Sequence, residues 1–315
     1  MELTAVQEIA GRLKANLGKV IVGKDNVIEL AMVGLLCEGH ILIEDVPGIG
    51  KTTLAKALAR SLDCSFARIQ FTPDLLPSDV TGISFFNQRT QTFEFRPGPV
   101  MSQIVLADEI NRATPRTQSA LLEAMQERQV TVDGQTYHLP RPFMVLATQN
   151  PIELEGTFPL PEAQIDRFLM RIALGYPGEA DENQILLRFE SSDPLETLQP
   201  AARTEEVLEL QQRVRQVRVE QSVREYLVRV ARSTREHAAV ELGVSPRGTM
   251  ALYHAAQALA AIRGRRFVIP DDVKYLAPYV LTHRIMISQR VRLRGHTPAQ
   301  VVGEIVSEVP VPVEE

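Results

Sequence analysis

Apolar and polar positions divide this chain near residue 175. Before that point, short apolar runs at 41–44, 67–71, 103–107, 143–148 and 169–173 alternate with stretches of helical period. That is the pattern of buried parallel strands joined by crossover helices. After it the period is helical nearly throughout, at 181–189, 204–216, 222–237, 245–263 and 271–287. The turn cluster Gly175-Tyr176-Pro177-Gly178 marks the boundary. The pattern therefore predicts an α/β unit over 1–175, a smaller all-helical unit over 176–303, and a poorly ordered acidic tail over 304–315. Two segments of strand-like alternation interrupt the first unit, near 82–96 and at 129–139. The second turns on Asp133-Gly134, a strong hairpin signal, and neither is needed for a minimal sheet.

Composition narrows the setting. A chain of 315 residues is long enough for about two domains. A net charge of −5 argues against a surface coated for nucleic acid. No apolar stretch reaches membrane-spanning length and the N-terminus lacks the basic start of a secretory signal, so a cytoplasmic protein without direct membrane insertion is expected. The two cysteines, Cys37 and Cys64, are too few for a metal cluster and read as structural thiols. The six histidines show no metal-ligand spacing.

The chemistry begins at Asp45-Val46-Pro47-Gly48-Ile49-Gly50-Lys51-Thr52, a turn between a predicted strand and a predicted helix. Such a turn aims unpaired N–H groups and the positive end of the helix dipole at whatever sits there, so phosphate oxygens bind well. Gly48 and Gly50 let the backbone approach them. Lys51 reaches the terminal phosphates and the Thr52 hydroxyl ligates Mg²⁺. Asp45 stands where the usual phosphate loop has a glycine, so only the second half of the motif is intact.

A second constellation ends the strand Ile104-Val105-Leu106-Ala107 with Asp108-Glu109, two carboxylates at the edge of the sheet where ligands bind. Asp108 is placed to hold Mg²⁺ and Glu109 to act as general base on water. A third strand ends in Gln149-Asn150-Pro151, offering an amide to position that water.

Together with Asp166-Arg167-Phe168 and Ser245-Pro246-Arg247, these residues resemble an AAA+ ATPase. More narrowly, EDVPGIGKT (44–52), RIQFTPDLLPSD (68–79), LADEINRATP (106–115), ATQNP (147–151), LPEAQIDRF (160–168) and SPRG (245–248) resemble the MoxR family. The resemblance covers the chain from near its start to the end of the helical unit. It implies a three-layer αβα sheet domain with a helical lid. It also makes Asp45 ordinary, and likens the two hairpins to inserts shared with magnesium-chelatase subunits and minichromosome maintenance helicases.

The resemblance also assigns roles. ATP and Mg²⁺ are the implied cofactors, with Val22 and Gly23 at the adenine and Pro47, Gly48, Ile49, Gly50, Lys51, Thr52 and Thr53 around the phosphates. Thr52 and Asp108 become the metal ligands, Glu109 the base, Asn150 sensor 1 and Arg247 the sensor 2 arginine. Arg167 resembles an arginine finger inserted into a neighbour's site, worth about 10³–10⁵ in rate, and Arg112 is a further interface candidate. Gln70 is placed to restrain Glu109 until a client engages. A finger acting in trans implies an oligomer, here a hexameric ring, working on a protein client with a partner carrying a von Willebrand A domain. A nucleic-acid translocase, suggested by the hairpins and by the arginines from 213 to 235, and a magnesium-chelatase-like subunit are the alternatives. Acidic charge and arginines alternating with apolar helix positions weigh against the translocase.

Overall fold

Two helices, α1 (Leu3–Leu17) and α2 (Asp25–Leu36), lead into β1 (Ile41–Glu44), whose Ile-Leu-Ile is fully buried. The computed structural model describes residues 3–151, 156–190 and 193–312. After the glycine turn, α3 (Lys51–Ser61) buries Leu54, Ala55 and Leu58 at helical spacing. β2 (Phe66–Gln70), α4 (Pro77–Thr81) and the hairpin β3 (Gly82–Asn87)–β4 (Thr92–Pro97) follow. Then come β5 (Ile104–Asp108), α5 (Pro115–Glu127) and a second hairpin, β6 (Gln129–Val132)–β7 (Gln135–His138). β8 (Met144–Gln149), α6 (Glu162–Ile165) and β9 (Met170–Ile172) complete the first unit.

The five strands β1, β2, β5, β8 and β9 form one parallel sheet in the order β2-β5-β8-β1-β9, so all their C-terminal ends share one edge. Both hairpins stand outside this sheet, and a stacked pair, Phe95 and Tyr137 at 3.9 Å, ties one to the other.

The remaining chain is mainly helical: α7 (Glu179–Phe189), α8 (Thr204–Val214), α9 (Gln221–Glu236), then β10 (Val240–Leu242), α10 (Pro246–Ile262) and α11 (Pro270–Leu281). β11 (Met286–Ile287), α12 (Gln289–Leu293) and α13 (Pro298–Glu308) close it. Two expectations need correction here. The helical reading of 271–287 fails after Leu281, where a 3₁₀ turn (Thr282–Arg284) delivers β11 to pair antiparallel with β10. A non-local ribbon has overridden local period. The supposed tail at 304–315 begins inside α13, because Val301, Val302 and Ile305 form a buried face against α9 and α11; residues 313–315 lie outside the described residues.

The helical unit is not a separate core. α1 and α2 pack on α8 and α10, one apolar cluster runs from Val6 to Val309, and the Gln211 amide donates to the Leu35 carbonyl at 2.7 Å.

His40, just before β1, shows what such a core does to a titratable group. Its Nδ1 accepts from the Val145 amide at 3.0 Å, its Nε2 lies 3.1 Å from the Met125 carbonyl, and burial pushes its pKa down to about 4. The folded chain thus holds a neutral ring that the unfolded chain protonates below its ordinary value of 6.5. The stability this contributes is present above pH 6.5 and is lost as the pH falls from 6.5 towards 4, by about 3 kcal/mol at most. Denaturant unfolding of a His40→Gln chain should show a shallower decline across that window than the parent. An equal decline in both would exclude His40 as a contributor.

Candidate active site

The C-terminal edge of the sheet carries a cleft of about 410 Å³, lined by the loop residues Pro47, Gly48, Gly50, Lys51, Thr52 and Thr53 on one side. Arg68, Gln70, Asp108, Glu109 and buried Asn150 form the other side. The strand order explains the convergence: β1, β5 and β8 end side by side and deliver the loop, the carboxylates and the amide to one place. Gly48 and Gly50 adopt φ of 83° and 92°, backbone that a side chain resists. A Cβ built on either meets nothing within 4 Å, so both open onto the cleft. These glycines and the start of α3 form a cradle open to the cleft, and the N–H groups at a helix start suit phosphate oxygens.

Lys51 Nζ donates to the Asp45 carbonyl at 2.8 Å. The side chain of Asp45 accounts for the departure from a glycine there. One carboxylate oxygen accepts from the Val46 amide at 2.9 Å, and the other accepts from the Gly175 amide at 2.7 Å. Asp45 thus pins the loop to the segment that leads into the helical unit.

The two carboxylates sit in a continuous hydrogen-bond network. Asp108 Oδ1 accepts from the Thr148 hydroxyl at 2.6 Å and Oδ2 from Arg68 Nη2 at 2.6 Å. Arg68 also donates to Gln70 Oε1 at 2.7 Å, and Gln70 Nε2 donates to Glu109 Oε2 at 2.8 Å. Glu109 has left-handed backbone, φ 56° and ψ 49°, uncommon for a residue with a side chain, and its amide donates to Thr148 Oγ1 at 2.8 Å. Arg112 lies 3.5 Å from Glu109 Oε2.

An apolar hollow of about 190 Å³ adjoins the loop, with Val22, Ile49, Leu174, Pro177, Ile185 and Phe189 among its walls. Its shape and character suit a nucleobase. Ile49 faces this hollow and is absent from the cleft lining. Gly23 lies beside it rather than in its wall: with φ of 67°, it passes so close to Asp181 that a Cβ would fall 2.1 Å from the carboxylate. The helical-unit share of this hollow had no sequence signal, because Ile185 and Phe189 read as ordinary helix positions. Arg68, Thr148 and the carboxylate of Asp45 were missed as well. The register of β2 with β5 brings Arg68 and Gln70 beside Asp108, but pairing partners are invisible along a single strand.

Among the described residues no three His, Cys, Asp or Glu side chains gather as a metal cluster. The oxygen donors Thr52 and Asp108 nevertheless suit Mg²⁺, which takes one or two protein oxygens and completes its shell with phosphate and water. Both cysteines are free, and burial raises the thiols to about 12 at Cys37 and about 11 at Cys64, away from any reactive range. Arg213, Arg215, Arg218 and Arg232 each face a glutamate within 4 Å. No helix among the described residues is long and apolar enough to cross a membrane.

Arg167 and Arg247 are not brought to this cleft. They share a second hollow of about 240 Å³ with Glu38, His40, Arg128 and Arg284. That hollow lies where β1 and β9 begin, since the Leu169 amide donates to the His40 carbonyl. β1 alone spans about 13 Å at roughly 3.3 Å per residue, more than an extended arginine side chain reaches. The two arginines therefore lie at the opposite end of β1 from the glycine loop.

Residues 40–170 match the family described as "ATPase family associated with various cellular activities (AAA)", and residues 232–305 match the AAA lid domain. The chain is 53% identical to the Bacillus subtilis protein YeaC, covering 97% of this chain and 96% of that one. It is 42% identical to chaperone MoxR1 of Mycobacterium tuberculosis, covering 93% of this chain and 80% of the relative. A crystal structure of a candidate ATPase from Cytophaga hutchinsonii superposes with a TM-score of 0.90 at 37% identity, over 98% of both chains. The phosphate cradle, the carboxylate network and these relatives together show that the chain belongs to the MoxR family of AAA+ ATPases, enzymes that hydrolyse ATP.

Proposed function

We propose that this ATPase works as a hexameric ring or ring-like assembly that remodels protein complexes, each nucleotide site being completed by the neighbouring copy. The observation that carries this reading is the separation of Arg167 and Arg247 from their own glycine loop by the length of β1. An arginine pair at one edge and an incomplete site at the other are complementary halves of a heterologous contact, which closes into a ring.

Within each site, the adenine lies in the hollow between Val22 and Phe189, and the phosphates lie in the loop. Bound Mg²⁺ supplies neutralisation of phosphate charge, held by Thr52 and Asp108. Lys51 exchanges its bond to the Asp45 carbonyl for the terminal phosphates. Glu109 takes the proton of the attacking water, and Asn150 orients that water. Gln70 holds Glu109 until a client engages. The neighbour's Arg167, with Arg247 from its lid, stabilises charge on the transferring phosphoryl group.

A protein client suits the surface better than nucleic acid. The β3–β4 hairpin presents Phe86 and Phe93, 48% and 73% exposed and packed edge to face. Of the seven arginines from 213 to 235, four are paired with glutamates, which leaves little of a continuous cationic path. The name of the mycobacterial relative, a chaperone, points the same way. A partner with a von Willebrand A domain is expected to deliver the client. The test is sedimentation of the Glu109→Gln chain with ATP and Mg²⁺, which should yield one species near six copies. A monomer at saturating ATP would contradict the assembly, and capture of the partner by that species identifies it.

A further inference from the structure

Arg284 lies in the 3₁₀ turn after α11, and nothing in the nucleotide cleft touches it. Its side chain is only 2% exposed, yet it carries a charge. A buried guanidinium is tolerated when its fork of N–H donors is filled, and here four of the six contacts come from one short segment, the others being the Val280 carbonyl and His283 Nε2. Nε donates to Asp166 Oδ1 at 2.7 Å, Nη2 to the Phe168 and Asp166 carbonyls at 2.6 and 3.2 Å, and Nη1 to the Leu169 carbonyl at 3.0 Å and to the Val280 carbonyl. The planar fork therefore dictates the backbone on both sides of Arg167.

The same clasp reaches Arg247. The other oxygen of Asp166 accepts from the Ser245 hydroxyl at 3.1 Å, and Ser245 caps α10 by accepting from the Gly248 amide at 3.3 Å. Arg247 sits between the cap and that glycine. Gly248 leaves room for two close neighbours, since a Cβ there would fall 2.5 Å from Val244 Cγ1 and 2.7 Å from Arg284 Cδ. One buried side chain thus fixes the two chain segments that carry Arg167 and Arg247, one from the sheet unit and one from the lid.

We propose that Arg284, clasping Asp166, is a positioning residue that holds Arg167 and Arg247 as one rigid pair aimed at the neighbour's phosphates. This rests on the reading that the pair acts in trans. A rigid pair matters because misplacing a charge-stabilising group by about 1 Å costs on the order of 10²-fold in rate.

The test compares full-length variants for kcat and ATP affinity. Arg284→Met should lower kcat at least about ten-fold with ATP affinity within about two-fold, because its own nucleotide cleft is untouched. Arg284→Lys, which keeps the charge without the fork, should recover only part of the loss. Added to the Arg167→Ala/Arg247→Ala chain, Arg284→Met should change the residual kcat by less than about three-fold, since the groups it positions are already gone. Parent-level kcat in Arg284→Met, or an equal loss in both backgrounds, would overturn the inference. If Arg284→Met does not fold, Asp166→Asn carries the same comparison with the same expected outcomes. A fully active Arg167→Ala/Arg247→Ala chain would overturn the trans reading beneath it, and the inference with it.

Discussion

Glu109→Gln is expected to lower ATP turnover by about 10²–10⁴-fold while leaving nucleotide affinity within a few-fold, the range set by loss of a general base. The substitution keeps side-chain shape and removes the proton acceptor. Local backbone leaves little room for a substitute: Glu109 is held in left-handed geometry, with its amide on Thr148 and its carboxylate on Gln70. Arg68 is engaged with Asp108, and Asp108 is committed to Thr148 as well, so neither neighbour is placed to take over as base. Steady-state turnover alongside equilibrium nucleotide binding checks this. Parent-level turnover in the purified variant would remove Glu109 from the role, and a loss appearing only as weaker binding would reassign it to nucleotide retention.

Arg167→Ala should be at least as damaging, by about 10³–10⁵ in kcat, the usual worth of an arginine finger. ATP binding by the isolated chain should be unchanged, because Arg167 stands at the opposite end of β1 from the loop proposed to bind it. That combination, a lost kcat with intact binding to the variant's own loop, is what a group acting on a neighbour produces. A variant that instead binds ATP poorly as a monomer would place Arg167 in its own site. Its turn is held by the buried Arg284 and by the Ser245–Asp166 bond, so truncating the half-buried arginine should spare the fold.

The phosphate loop, the Asp108-Glu109 strand end and both hairpins were legible in the sequence because each is written in consecutive residues. Periodicity, an Asp-Gly turn and a Gly-Lys-Thr run depend on local backbone chemistry alone. What escaped was set by neighbours distant in sequence. Arg68 and Thr148 join the carboxylates only because β2 and β8 flank β5. The carboxylate of Asp45 acquires its purpose from Gly175, and Arg284 acquires its own from Asp166. The break in the last long helix failed for the same reason: Met286 and Ile287 continue an apolar pattern, yet pair as a strand with Val240 and Leu242. The packing of α1 and α2, first in sequence, against α8 and α10 likewise had no local signal.

The shared active site is tested most directly by mixing two inactive chains. Lys51→Ala lacks a working phosphate loop but keeps its arginines, and Arg167→Ala lacks the finger but keeps its loop. In a random mixed assembly about one interface in four joins the intact loop of one chain to the intact finger of the other. ATP turnover should therefore recover to as much as about a quarter of the parent rate, with neither variant active alone. No recovery in an assembly shown to contain both chains would contradict the account.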